Sequence, residues 1–179
     1  MKKIFSILAV LAMILTLATG ALAAETAAPS FTGGVQFNMD MTQVMEIVNR
    51  KNYEIDREKT RGSVEFYELE YEHVTDEEGF TADVTYLFVG NSLVAIHFDM
   101  ADNVTYDQVK AALTATYGEA VPFDAAKIGN GRYAIDDDGD VKECKEMILA
   151  DGVMIVLEED HDGEVNVTIL DPTAAYINN

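Results

Sequence analysis

Two stretches of the chain, NMDMTQV at 38–44 and NVTYDQV at 103–109, carry the same pattern of helix-starting residues. Asp40 and Thr105 are good N-cap residues, and Gln43 and Gln108, three positions later, complete a capping box in each stretch. Both stretches also place apolar residues at the N′ and N4 positions, which predicts a hydrophobic staple: Met39 with Val44, and Val104 with Val109. The sequence therefore predicts two helices, and we expect Asn52 to end the first and Gly118 to end the second.

Each predicted helix is followed by four strand-like runs. They cover 53–59, 63–74, 79–90 and 92–100 after the first helix, and 131–135, 141–150, 153–160 and 164–170 after the second. Turn-forming residues separate these runs, and the connections are too short for parallel crossovers. The prediction is an α+β fold: two tandem helix-plus-four-strand units form an antiparallel sheet with the helices on one face. The repeats would occupy 37–100 and 101–179.

Alternation within the runs predicts which side of the sheet meets the helices. In the run at 79–90, every second residue from Phe80 to Phe88 is apolar, whereas Thr81, Asp83 and Thr85 lie on the other side. The run at 92–100 likewise sets His97 and Asp99 on the side opposite its apolar residues. An antiparallel sheet tolerates this asymmetry, so we expect one face to be covered and the other to be polar and open.

The N-terminal residues have the layout of a secretory signal peptide. Lys2 and Lys3 precede an apolar run at 4–20, and the small residues at 21–23 suit a cleavage site. We expect a signal peptide at 1–23 and a linker at 24–36, and hence a secreted or extracytoplasmic protein without membrane insertion after cleavage. A retained membrane anchor is the alternative, although the run is short for a membrane span.

The net charge of the chain limits the classes of partner that we expect it to bind. The net charge is −20, with 32 acidic and 12 basic residues, which disfavours nucleic acid and anionic membranes and favours cationic partners. Five bases fall between Arg50 and Arg61, either as a recognition patch or as neutralisation of neighbouring acids. Cys144 is the only cysteine, so no intrachain disulfide exists, and we interpret it as a small buried residue.

The sequence offers no catalytic constellation. Three acid-rich turns, TDEEG at 75–79, DDDGD at 136–140 and EEDHDGE at 158–164, suit solvated hairpins, with calcium binding as the alternative. None has the spacing of an EF-hand loop, and the three histidines do not have zinc-site spacing. We therefore assign no catalytic, cofactor-binding or metal-binding residues, expect no cofactor, and predict that the protein is not an enzyme.

The stretches FNMDMTQVMEIV and YDQVKAALTATYGEAVP resemble the helix starts and Tyr-Gly helix end of the β-lactamase inhibitory proteins and of the BamE (SmpA/OmlA) outer-membrane assembly lipoproteins. The resemblance implies a doubled helix-plus-strands unit whose concave sheet binds another protein. Asn38 replaces the family's usual glycine, and the chain lacks both the inhibitors' disulfides and tryptophan. No inhibitor contact residue carries over, so inhibition of β-lactamase is not implied.

These observations converge on a secreted, non-enzymatic protein–protein interaction module. We predict that it binds a partner protein of the envelope or extracellular space through the open sheet face around Thr85, His97 and Asp99. In one version of this hypothesis, binding inhibits the partner. The alternative is an extracytoplasmic protein that binds a cation or small ligand with its acidic turns. A carboxylate-based hydrolase is the least favoured hypothesis, because no nucleophile or metal constellation accompanies the acids.

Overall fold

A computed structural model of the chain describes residues 34–56, 65–75, 80–128, 144–150 and 152–173. These residues form three helices and eight strands. The helices are α1 (Met41–Val48), α2 (Tyr106–Tyr117) and α3 (Ala125–Ile128). The strands are β1 (Glu54–Asp56), β2 (Phe66–Thr75), β3 (Thr81–Val89), β4 (Ser92–Met100), β5 (Val121–Pro122), β6 (Cys144–Ala150), β7 (Val153–Glu159) and β8 (Val165–Leu170).

Helix α1 begins with the predicted capping box. The Asp40 carboxylate accepts a hydrogen bond from the Gln43 backbone N–H, and the Gln43 side chain accepts one from the Asp40 N–H, both at 2.9 Å. The helix ends earlier than expected, because Asn49 rather than Asn52 adopts the left-handed conformation at φ 47°. Asparagine tolerates this conformation, and its N–H closes the last turn on the Met45 carbonyl.

Helix α2 begins in the same way. The Thr105 hydroxyl and the Gln108 side chain each accept the other residue's backbone N–H, which confirms the second capping box. Gly118 ends this helix at φ 109°, a conformation that disfavours any residue with a Cβ atom. The two similar stretches of the sequence are therefore the starts of the two longest described helices.

The eight strands form one antiparallel sheet in the order β1-β2-β3-β4-β8-β7-β6-β5, which confirms the predicted α+β class and the antiparallel pairing. Strand β4 pairs with β8 at the centre of the sheet, where Phe98 lies opposite Val167. The tight connection between β6 and β7 contains Gly152 at φ 79°. The strand that was expected at 131–135 lies outside the described residues, and the outermost pairing partner of β6 is instead β5.

Helices α1 and α2 pack on the same face of the sheet. Val44 of α1 is fully buried in a cluster with Leu69 and Tyr86, and Val109 of α2 is buried in a second cluster. Phe98 and Met100 of β4 pack against both clusters, so the two clusters adjoin on one side of the central strands. The prediction that the long helices share one face is therefore correct.

The expectation of a wholly polar second face is wrong for one half of the sheet. Met147, Val156 and Leu170 are buried on that face, and Ile128 of the short helix α3 is buried in the same cluster. Since α3 follows the edge strand β5, the chain passes around the sheet edge and covers this part of the face. Strand β7 reads VMIVL at its start, a continuous apolar run, and such runs are typical of strands buried on both sides.

No helix within the described part of the chain is both long enough and apolar enough to cross a membrane. The expected signal peptide at 1–23 and residues 24–33 of the expected linker at 24–36 lie outside the described residues.

Candidate binding face on the open side of the sheet

The three residues that the sequence predicted for the binding face lie together on the side of the sheet opposite α1 and α2. Thr85 of β3 is the direct cross-strand partner of His97 of β4. Asp99 lies two residues further along β4 and therefore points to the same side. Thr85 and His97 are half-buried, and Asp99 is exposed. The strand alternation correctly predicted this grouping.

His97 is held in place from the neighbouring strand. Its ring Nδ1 lies 2.9 Å from the hydroxyl oxygen of Thr168, which is its cross-strand partner on β8. Thr168 is completely buried, so this hydrogen bond satisfies a hydroxyl group that water does not reach. The orientation of the imidazole is thereby fixed at the centre of the sheet, between the acidic and the apolar parts of the open face.

Acidic side chains dominate the first half of the open face. We call this group the acidic face; its members on β1 to β4 are Glu54, Asp56, Glu68, Glu70, Asp83 and Asp99. Their common side follows from the register, because direct cross-strand partners lie on the same side of a sheet. The sequence prediction placed Asp83 and Asp99 on the open side of the sheet, but of this group it named only Asp99 as a binding residue. The missed signal was the alternation in FYELEYE, where the acids at 68 and 70 flank the buried Leu69.

Three pairs of these carboxylates face each other directly across neighbouring strands: Glu54 with Glu70, Asp56 with Glu68, and Asp83 with Asp99. Like charges in directly opposed positions destabilise a sheet, by roughly 0.2–1 kcal/mol for each pair. The repetition of this arrangement, twice between β1 and β2 and once between β3 and β4, means that the fold concentrates negative charge here at a cost in stability.

The mutual repulsion affects the protonation of two members. Burial, followed by the charge of Asp83 and then by those of Glu54, Glu72 and Asp56, raises the pKa of Glu70 above its ordinary value. Burial and the charges of Asp83, Asp102 and Asp160 likewise raise the pKa of Asp99. Every charged group that shifts these two pKa values is another carboxylate.

Lysine and arginine are absent from the four strands that carry the acidic face. The sequences of β1 to β4 contain neither residue. Described bases on the helix side of the sheet form ion pairs there: Lys110 pairs with Glu146, and Lys145 pairs with Glu159.

The basic segment noted in the sequence is described only in part. Arg50 and Lys51 line a surface pocket with Asn52 and Glu72. Arg57, Lys59 and Arg61, part of the basic segment noted in the sequence, lie outside the described residues.

A histidine lies at the end of the acidic face. The His73 backbone N–H donates a 2.6 Å hydrogen bond to Asp83 Oδ1, and the His73 ring Nδ1 lies 3.3 Å from the same oxygen. His73 has φ 53° and lies in a β-bulge of β2, between Tyr71 and Val74. The bulge thus positions an exposed imidazole next to Asp83.

One acidic turn brings potential metal ligands together. Asp160, His161 and Asp162, between β7 and β8, each offer a ligand atom within 4.8 Å of the others. Asp160 Oδ1 already accepts hydrogen bonds from the backbone N–H groups of Asp162 and Glu164, both at 2.8 Å, which closes the turn. The corresponding residues of the other two acidic turns, at 76–79 and 136–140, lie outside the described residues.

Cys144, the only cysteine, is half-buried rather than fully buried. Its Sγ donates a 2.9 Å hydrogen bond to the carboxylate of Glu158 on β7, and its side chain packs against the apolar cluster below α3. This arrangement corrects the expectation that Cys144 is a small buried residue, because the thiol is partly exposed and forms a hydrogen bond.

Comparison with known proteins identifies no relative. No protein-family model, curated protein or solved structure matches the chain. The function must therefore be argued from the chemistry of the site itself.

Proposed function

We propose that this protein is a secreted, non-enzymatic binding protein that contacts a partner protein through the open face of its sheet. The observation that carries the proposal is the acidic face, where three pairs of directly opposed carboxylates lie on strands that contain no lysine or arginine. An arrangement that costs stability within the folded chain is characteristic of functional surfaces. The centre of the contact would lie at Thr85, His97 and Asp99.

The same proposal includes a duplicated architecture. Two features support it: each long helix starts with a capping box, and the strand order runs β1-β2-β3-β4 and then β8-β7-β6-β5. The second feature places the last four strands in mirrored order beside the first four. A doubled unit with an open sheet is also what the resemblance to the β-lactamase inhibitory and BamE-type proteins implies, and both groups use it to bind proteins.

A site-specific photo-crosslinking experiment tests this function. A photoreactive amino acid replaces Thr85 on the open face or, as the matched control, Glu119, which is exposed next to the end of α2. We expect a discrete crosslinked partner from the secreted or envelope fraction with the probe at position 85 and none with the probe at 119. Equal crosslinking from both positions, or none from position 85, would contradict the proposal.

The Asp160 turn supports a second candidate function, cation binding. Three potential ligands within 4.8 Å are the specific observation in its favour. Calcium would then raise the Tm of the wild-type protein, and Asp162→Asn would abolish that increase, whereas Asp107→Asn on α2 would leave it unchanged. A Tm that is independent of calcium in all three proteins would eliminate this candidate.

A further inference from the structure

We propose that the partner segment that covers the acidic face is cationic: a stretch of another protein that presents several arginine or lysine side chains from one side. This inference rests on the proposed function and specifies the chemistry of its partner. It follows from the charge of the face and from the geometry with which the sheet spaces that charge.

The spacing of the carboxylates suits a chain with several cationic groups. Neighbouring strands lie about 4.8 Å apart, and residues two apart on one strand lie about 7 Å apart. The acidic face extends over four adjacent strands, from Glu54 on β1 to Asp99 on β4, so its charge is distributed over a surface rather than gathered around one point. A protein segment with basic side chains at intervals matches this distribution, and arginine also offers paired donors to each carboxylate.

Charge also argues against a second copy of this chain as the occupant. The chain carries a net charge of −20, so two acidic faces would repel each other. A cationic segment has the opposite effect. It would reduce the repulsion within the opposed pairs Asp83–Asp99 and Glu54–Glu70. The release of this strain, which is already present in the free protein, would make the free energy of binding more favourable. The raised pKa values of Glu70 and Asp99 are consistent with that strain.

The covering of the sheet limits where the segment can bind. Helix α3 and the residues before it pack on the apolar part of this face, around Met147 and Val156. None of the described residues forms a comparable layer over Glu70 and Asp99, which are exposed. The cationic segment would therefore lie across β1 to β4, next to the half-buried Thr85 and His97.

Binding of a defined peptide tests the inference. The probe is a peptide of alternating arginine and threonine, and its matched control has glutamate in place of arginine. Amide chemical shifts of the full protein would locate the peptide, and calorimetry would measure its affinity. We expect shifts concentrated in β1 to β4, no binding of the glutamate peptide, and affinity that falls about tenfold between about 0.05 M and about 0.5 M NaCl.

Charge-matched variants test whether the peptide binds the acidic face specifically or is attracted by the net negative charge of the whole protein. E70Q/D83N/D99N removes three charges from the acidic face, and E46Q/D107N/E119Q removes three exposed charges from the α1 and α2 side. We expect the first variant to bind the arginine peptide about tenfold more weakly and the second to change affinity less than about twofold. Equal losses, or shifts spread over the whole surface, would overturn the inference.

Two further outcomes distinguish this inference from the proposed function. If a partner crosslinks at position 85 but its binding is insensitive to salt and to E70Q/D83N/D99N, the cationic chemistry is wrong and the function stands. If the arginine peptide binds only after R57Q/K59Q/R61Q, the bases of this chain already occupy the face, and the inference of a separate cationic partner is overturned. Peptide binding at the acidic face without any protein crosslinked at position 85 would support the chemistry and contradict the function.

Discussion

Asp83 on β3 and Asp99 on β4 lie directly opposite each other on the open face of the sheet. Asp83 also accepts the His73 backbone N–H, so its position is fixed from β2 while its charge faces Asp99. Two carboxylates held in this way repel each other whenever both are ionised. Neutralising one member of the pair therefore tests whether the acidic face lowers the stability of the folded protein.

Asp99→Asn should stabilise the protein at neutral pH. The substitution removes one charge of the opposed pair and keeps the side-chain size, so we expect the free energy of unfolding to rise by roughly 0.2–1 kcal/mol. Urea unfolding of the two proteins measures the difference. Asp107→Asn is the control of opposite sign: Asp107 lies in the first turn of α2, where a negative charge favours the helix, and its loss should lower stability slightly. A decrease in both variants would contradict the repulsion.

The benefit of neutralising Glu70 and Asp99 together should depend on pH. Both groups have a raised pKa in the folded protein, so their ionised forms destabilise the fold at neutral pH. As the pH falls through these raised values, the folded state takes up protons before the unfolded state, and stability is regained until the ordinary values of 4.5 and 3.8 are passed. The stability advantage of E70Q/D99N over wild type should therefore be largest at neutral pH and disappear on acidification. An advantage independent of pH would exclude titration of these groups as its cause.

Local signals in the sequence predicted the fold best. The capping boxes at Asp40 and Thr105 depend only on residues three positions apart, and both helices start where expected. Alternation placed Thr85 and His97 on one face for the same reason. The end of α1 was less accurate, because Asn49 and Asn52 are equally suitable C-cap residues and tertiary packing decides between them.

Pairing between distant parts of the chain was not predictable in the same way. Nothing local indicates that β5, at Val121–Pro122, pairs with β6, or that the following α3 places Ile128 on the open face. The direct opposition of the carboxylates was equally hidden, since each opposed pair joins residues of two strands. The alternation identified the face, and only the register showed that its acids are opposed.

Thr105→Ala should destabilise α2 and, with it, the second half of the sheet. The Thr105 side chain accepts the Gln108 N–H, and loss of an N-cap acceptor costs about 1 kcal/mol. Chemical denaturation followed by far-ultraviolet circular dichroism measures the change. Thr105→Ser retains the hydroxyl and should remain close to wild type. If alanine and serine are equally stable, the cap contributes nothing and this prediction is wrong.

Glu146 should stabilise the protein on the helix side of the sheet. Its carboxylate accepts a hydrogen bond from Lys110 of α2, which lowers its pKa despite the opposing effect of burial, and the Tyr106 hydroxyl adds a second bond at 2.9 Å. A lowered pKa means that this stabilisation is present above the ordinary value of 4.5 and is lost as the pH falls through the folded value. We expect Glu146→Gln to cost about 1 kcal/mol at neutral pH, since the group is partly exposed.

A double-mutant cycle isolates this contact. In the cycle, Tyr106→Phe removes the hydroxyl donor and Glu146→Ala removes the acceptor. The combined variant should lose less stability than the sum of the single losses, because both substitutions delete one shared hydrogen bond. Glu119→Gln, in an exposed position beyond α2, is the control and should be nearly neutral. Additive losses from Glu146→Ala and Tyr106→Phe would show that the hydrogen bond does not stabilise the fold.

Ile128→Ala should expose the apolar half of the open face. Ile128 is only 6% exposed and packs with Met147, Val156 and Leu170, so truncation removes buried contacts that the other, exposed residues of α3 do not make. We expect a loss of about 2 kcal/mol in the free energy of unfolding, near the lower end for buried isoleucine, together with increased binding of a hydrophobic fluorescent dye. Lys127→Ala, on the exposed side of the same helix, should change neither. Unchanged stability and dye binding in Ile128→Ala would show that α3 does not cover this face in solution.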